Sequence, residues 1–408
     1  MPAQVAVYQE VFEQMERITR SVGLRRTAVK RLALLVTGII AAQTTVVAQV
    51  AAELYALDLT KAGKPESIGR RLRRTLSDAR LDLATCYLPV LGSAIDWAMV
   101  LRGSKRVVLI VDESSKADEL HLFRLSLAYW GGSIPLAWSC WEQNVALPAG
   151  RYWQEVDRVL AQTASVLPAG LAVVVVADRA YDVPAFVDRV AARGWHWVVR
   201  VKAKGTLRFL DHQGHTHALA DLLRQRLHQG GRWKARGRVF QAAGWRDASV
   251  VGLWTPSATE ALVVLSDLPC HWEVLLPYGQ RFWTEPGFRN DKSRGWQWEA
   301  SQVQGHGHHQ RLLLAMAWAA LVTLCLGVQQ AKERLAALAA QPASDRPPKP
   351  QHPRESVFTL GLHAAQCWLH HKFHLTLHWP LPDITAPSWH DQWLHAQADR
   401  FLFGTVRP

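Results

Sequence analysis

Cysteine is scarce in this chain, and acidic residues are outnumbered. The 408 residues hold five cysteines, Cys86, Cys140, Cys270, Cys325 and Cys367. Their number is odd, they are widely dispersed, and no C-x-x-C occurs. This argues against a disulfide framework or a zinc ribbon and fits a reducing cytoplasm. Asp and Glu total 34 against 47 Lys and Arg, a net charge of +13. Such an excess favours a polyanionic partner, most simply nucleic acid. No run of membrane length stands clear of doubtful size. The longest apolar run, Leu312 to Val328, spans 17 residues and includes Thr323 and Gly327. That is the lower edge of a membrane span, and a buried core helix is expected instead, with no membrane partner. The segment Met1 to Glu16 is mixed and amphipathic, without the apolar core of a signal peptide. Internal repeats are not detectable. Ser114 and Ser115 lack a Ser/His/Asp setting, which argues against nucleophilic catalysis.

What is present is globular: 49% hydrophobic and 20% charged residues, in a length that suits more than one domain. Tryptophan is unusually frequent, at 19, and nothing in the sequence accounts for it. Residues 1–104 read as a helical N-terminal region for DNA recognition. Within it Ala28 to Ala56 is apolar, alanine-rich and free of proline. After a loop at Lys61 to Ser67, a second helix is expected with Ser67 as N-cap. It carries Arg70, Arg71, Arg73 and Arg74 around Leu72, a basic patch suited to DNA phosphates.

From 105 the pattern turns to β. The expected order is the strand ending at Asp112, a hairpin about Gly131-Gly132-Ser133, and a helix from Arg151 to Leu167. The strand ending at Asp178, a helix from Val183 to Arg193 and the strand Trp195 to Val201 follow. This is a mixed α/β sheet with an antiparallel edge. Residues 203–259 read as a β-rich insertion, 260–340 as the return to the core, and 341–408 as a proline-containing linker and helical tail.

Three carboxylates stand out. Asp112 follows Val107-Val-Leu-Ile-Val111, and Asp178 follows Ala172-Val-Val-Val-Val-Ala177. Both runs read as buried strands. A charge at the end of a buried strand is costly unless paired, and the natural partner on a basic chain is a divalent metal handling phosphate. The third carboxylate is Glu285, within Tyr278-Gly-Gln-Arg281-Phe-Trp-Thr-Glu285-Pro-Gly-Phe-Arg-Asn-Asp-Lys292. On one helix, Tyr278, Arg281, Glu285 and Lys292 fall within roughly 60° of a single face. A phenol, two cations and a carboxylate together suit a DNA end, the cations on phosphates and the carboxylate on metal. Pro286 opposes a continuous helix. A helix starting with Thr284 as N-cap and Pro286 in the first turn is the other arrangement. Glu113 should point away from Asp112. His306, His308 and His309 read as a polar, exposed turn rather than a metal site.

In these elements, taken in order, the chain resembles the bacterial insertion-sequence transposases of the Asp-Asp-Glu class, in the branch with a Tyr-Arg-Glu-Lys signature. The likeness covers roughly residues 60 to 330. Arg70-Arg71-Leu72-Arg73-Arg74 resembles the arginine-rich stretch upstream of the core. Tyr129 to Trp138 resembles the hairpin after the first aspartate. Ala177-Asp178-Arg179-Ala-Tyr181 stands at the second, with Ala180 where the family commonly has Gly. The resemblance implies a ribonuclease-H-like core interrupted by a β insertion. It also implies two Mg²⁺ ions, replaceable by Mn²⁺, on Asp112, Asp178 and Glu285. The implied activity is cut-and-paste transposition: hydrolytic cleavage at the element's ends, then strand transfer by the 3′-hydroxyl, in this branch typically through a hairpin. The implied partners are double-stranded DNA, as terminal inverted repeats and target, and a second copy of the chain, at the bacterial nucleoid. A metal-dependent nuclease of the same fold and an inactive end-binding protein are the rival readings.

Overall fold

The computed structural model describes residues 3–19, 23–92, 95, 106–129, 131–202, 205–340 and 356–371. Four helices come first: α1 (Ala3–Thr19), α2 (Arg26–Ala42), α3 (Val47–Ala56) and α4 (Pro65–Ser77). The apolar stretch from Ala28 to Ala56 is thus two helices, and they meet at 89°. The break follows Gln43, whose backbone is left-handed (φ 51°). The start of α4 also differs from expectation. Pro65 occupies its first turn after Lys64, so Ser67 lies inside the helix. Proline has no N–H to lose there, which makes it the better starter.

Ten strands form one sheet: β1 (Arg106–Lys116), β2 (Leu120–Tyr129), β3 (Gly132–Glu142), β4 (Ala172–Ala177), β5 (His196–Arg200), β6 (Arg208–Leu210), β7 (Thr216–Ala218), β8 (Arg232–Val239), β9 (Arg246–Leu253) and β10 (Leu262–Ser266). Their order is β3-β2-β1-β4-β5-β10-β9-β8-β6-β7. The first three are antiparallel, β1, β4 and β5 run parallel, and β10 returns antiparallel to β5. The fold is therefore mixed α/β. The strands of 203–259 extend this same sheet through β10 and β9. That segment also holds a helix, Leu219–Arg226, which the sequence reading did not include. Its signal was the four-residue spacing of Leu219, Leu223 and Leu227, all buried.

The valine-rich strands are buried on both faces. Val107, Leu109, Val111, Val173 and Val175 join one core, which also takes in the N-terminal helices. Val108, Ile110, Val174 and Val176 join the other, with Leu275 and Tyr278. Each fully buried side chain of this kind contributes roughly 1.5–3 kcal/mol relative to exposure.

The apolar run at 312–328 lies in a 35-residue helix, His306–Ala340. By length and composition it could cross a membrane, but 94% of its apolar window is buried inside the protein. It packs on β3, α2 and α4 and against the helix Val357–His371. Part of the tryptophan excess is spent here. Trp296, Trp298, Trp318 and Trp368 are among the largest fully buried side chains, and Trp318 donates Nε1–H to the Cys86 carbonyl at 2.9 Å. The linker reading at 341–354 and the chain after 371 lie outside the described residues.

The two C-terminal helices cross at paired glycines. A Cβ on Gly327 would collide with the Val357 carbonyl, and one on Gly361 with the Thr323 carbonyl. Backbone cannot yield as a side chain can. Gly327→Ala is expected to lower stability by about 1–3 kcal/mol through overpacking, read as a lower midpoint in urea unfolding.

Candidate active site

Parallel pairing of β1 with β4 sets Ile110 opposite Val176. Two residues further along each strand come Asp112 and Asp178. Both aspartates thus leave the same face at the same level, because side chains alternate with period two. Asp178 sits one residue past β4 in a tight turn. Its Oδ1 accepts the Ala180 N–H at 2.8 Å, and its carbonyl accepts the Tyr181 N–H at 3.1 Å. The hydrogen bond uses only the backbone of residue 180, and its φ is not positive, so alanine fits there without strain. Asp112 Oδ1 accepts the Glu113 N–H at 3.0 Å.

The third carboxylate arrives from the signature segment, which winds helically from Leu275 to Arg294 in changing pitch. It is α-helical at Leu275–Gly279, 3₁₀ at Gln280–Trp283, α-helical at Thr284–Arg289 and π-helical at Asn290–Arg294. Thr284 is helical (φ −74°, ψ −27°) and does not act as an N-cap. Pro286 therefore lies within a continuous winding, just past a 3₁₀-to-α junction. Changes of pitch rotate side chains out of phase, so the four signature residues do not share one face. Tyr278 is fully buried, and its hydroxyl has no partner among the described residues. It packs edge-on against Phe282 in the core beneath the carboxylates. The expected presentation of its phenol to a DNA end is not what the fold builds. Lys292 lies 3.6 Å from Glu299.

Arg281 gathers the carboxylates. Its Nη2 is 3.8 Å from Asp112 Oδ1 and 3.9 Å from Asp178 Oδ2, and its Nη1 is 3.9 Å from Glu285 Oε1. The guanidinium is 13% exposed, Asp112 17%, Asp178 35% and Glu285 53%. Burial pushes the Asp112 carboxyl above its usual range, Arg281 pulls it back, and Asp178 adds repulsion. The donor set is three hard oxygen groups at one sheet edge, the chemistry that Mg²⁺ or Mn²⁺ takes. Among the described residues no three such groups stand close enough to share one ion as placed. The guanidinium lies between them.

Two supporting clusters went unread in the sequence. On the opposite face Glu113 accepts hydrogen bonds from the hydroxyls of Tyr152 and Tyr181, each at 2.6 Å, and pairs with His121 at 3.0 Å. These donors hold Glu113 below the usual range despite burial. On the carboxylate face Arg124 stands opposite Asp112 on β2. It pairs with Asp291 at 2.5 Å and lies 3.9 Å over the Phe288 ring. Burial raises Asp291, and Arg124 counters it. The visible signal was a lone arginine inside the apolar run Phe123 to Tyr129. Asp291 had none.

The arginine patch does not join this site. Arg70, Arg71, Arg73 and Arg74 are exposed on α4, whose buried Ile68, Leu72 and Leu76 belong to the other core. His309 is buried rather than exposed and accepts the Trp298 Nε1–H through Nδ1; burial lowers it to about 4. His308 binds the Gln304 carbonyl.

Two variants test this geometry. Arg281→Gln removes the cation that the three carboxylates share and should cost about 1–2 kcal/mol, less than a fully buried pair because Glu285 is half exposed. Asp112 is raised when folded, so its charged form disfavours the fold as pH rises. The deficit of Arg281→Gln should therefore shrink as pH is lowered towards Asp112 protonation, in thermal unfolding followed across pH. Tyr181→Phe removes a donor to a half-buried carboxylate and should cost about 1–2 kcal/mol in urea unfolding.

Residues 154–322 match the family model described as the transposase DDE domain. That segment includes Asp178, Arg281 and Glu285, and begins after Asp112. No curated protein matches the chain. A solved structure, the cryo-EM structure of a piggyBac transposase synaptic complex with hairpin DNA, is 8% identical and covers 97% of this chain and 84% of its own, with a TM-score of 0.42. A score that low carries no argument. The matched segment is less than half of the chain.

Proposed function

We propose that this protein is a DNA transposase of the Asp-Asp-Glu class and the Tyr-Arg-Glu-Lys branch, performing cut-and-paste transposition. The observation that carries the reading is the convergence of Asp112, Asp178 and Glu285, from three separate elements, on one guanidinium. The strand order β3-β2-β1-β4-β5, antiparallel then parallel, supports a ribonuclease-H-like core. The basic charge supports DNA as partner, and a homodimer bridging two ends follows from the family resemblance.

Asp112, Asp178 and Glu285 would hold two Mg²⁺ or Mn²⁺ ions. Bound there, such ions would activate water or a 3′-hydroxyl and stabilise charge on the attacking and leaving oxygens of an in-line displacement at phosphorus. The chain's own residues do the rest. Backbone N–H groups of Glu113 and Ala180 fix the two aspartates. Phe288 and Asp291, clamped by Arg124, fix the winding that carries Glu285. Arg281, which balances the carboxylates, is placed to take a phosphate when they are otherwise neutralised.

The test supplies purified protein and Mg²⁺ with DNA carrying the gene's flanking ends. Asp178→Asn and Glu285→Gln should each reduce end cleavage and strand transfer more than a thousandfold while leaving end binding intact. Cleavage by the unaltered protein without joining would identify a nuclease instead. Binding with no product, unaffected by either substitution, would identify an inactive end-binding protein.

A further inference from the structure

β8 reads Arg232-Trp-Lys234-Ala-Arg236-Gly-Arg238-Val. Cations stand at every second position, so all four share a face, while Trp233 and Ala235 pack against the opposite core. Register carries that face across the sheet. Arg232, Lys234, Arg236 and Arg238 stand opposite Leu253, Val251, Ser249 and Asp247 of β9. Val251 stands opposite Val264 of β10, and Ser249 opposite Ser266. Ser266 stands opposite Val198 of β5, Val198 opposite Val176 of β4, and Val176 opposite Ile110 of β1. Ile110 shares its face with Asp112. The four cations therefore line the same side of the sheet as the three carboxylates, five strands away. At about 4.8 Å per strand that is roughly 24 Å, or about seven base pairs of duplex.

The stripe is built rather than loose. Arg232 and Lys234 lie 5.1 and 5.5 Å over the Trp272 ring. Trp272 itself packs on the core beneath Tyr278, so aromatic surface joins stripe to site. Lys234 donates to the Cys270 carbonyl at 3.2 Å, and Arg236 to Ser249 Oγ at 3.0 Å and the Leu268 carbonyl at 3.1 Å. On the paired strands β8 and β9 one carboxylate, Asp247, shares this face, 3.3 Å from Arg238. A solvated face usually mixes its signs more evenly; here four cations meet one carboxylate.

We infer that β8 is a phosphate track: it holds the backbone of duplex DNA that extends from the carboxylate site, without reading sequence. The inference rests on the proposed function, since it takes the bound polyanion to be DNA whose end lies at the carboxylates. Arg232, Arg236 and Arg238 are exposed; Arg236 is held by Ser249 and the Leu268 carbonyl, so Arg232 and Arg238 carry the contacts most open to test.

The experiment measures binding of the full chain to a fluorescently labelled duplex of arbitrary sequence, longer than two helical turns, by anisotropy. It needs no metal and no cleavage. The unaltered protein is compared with Arg232→Gln/Arg238→Gln and Arg232→Lys/Arg238→Lys between about 50 and 200 mM salt. The glutamine pair should bind roughly twentyfold more weakly at the middle of that range, and the slope of log K against log salt should become shallower by about 1.8. The loss should be equal for unrelated sequences, and the lysine pair should keep the slope. A folded glutamine pair with an unchanged slope overturns the track and leaves the transposase reading standing. Loss in the lysine pair equal to that in the glutamine pair also overturns it, since the arginines would then act through their contacts within the chain, Arg232 on Trp272 and Arg238 with Asp247. No salt-dependent binding by the unaltered protein overturns both readings.

Discussion

Everything at the carboxylate edge depends on offsetting repulsion. Three acidic groups drawn to one place in a partly buried setting oppose each other and their own desolvation. Arg281 supplies the counter-charge that lies at almost equal distance from all three, and Arg124 adds to it at Asp112. Distances near 4 Å make this a shared electrostatic balance rather than a set of tight hydrogen bonds. A balance of that kind can be transferred. On the proposed reading a divalent cation would supply the same neutralisation at shorter range and would leave the guanidinium available for a phosphate. The fold thus holds its acidic groups together without tight pairing.

The surrounding packing makes the arrangement reproducible. Asp112 is fixed by strand pairing, Asp178 by a turn, and Glu285 by a winding whose pitch changes three times. The last is the least regular and needs the most support. Arg124 provides it, linking the strand beside Asp112 to Asp291 through the π-helical turn. Gly287 allows the approach, since a Cβ there would come within 2.9 Å of Ser133 Oγ. The π turn is a small local cost that re-aims one side chain, the usual role of such turns.

Much of this was legible in the chain. Runs of β-branched residues marked β1 and β4, and the pairing register then set Asp112 beside Asp178 without further information. The hairpin at Gly131-Gly132 was equally plain, because few residues accept the backbone angles that a tight turn demands. What could not be read was whatever depended on pitch or on distant contacts. Spacing alone treats Tyr278, Arg281, Glu285 and Lys292 as one ideal helix, yet Tyr278 packs into the core and the 3₁₀ and π turns after it put the four out of phase. The Arg124–Asp291 pair is 167 residues apart in sequence, and no local pattern announces it. The cage about Glu113 joins four elements for the same reason. The strands of 203–259 looked like an inserted unit because their alternation is polar, whereas hydrogen bonding absorbs them into the main sheet.

That absorption has a mechanical consequence. A segment joined by a loop can swing, but β8 is tied to β1 through five successive ladders of backbone hydrogen bonds. Sliding or hinging any one of them would break a row of bonds at once. The interval between the cations of β8 and the aspartates is therefore a fixed length, set by strand count. The sheet sets that spacing as a caliper sets its jaws.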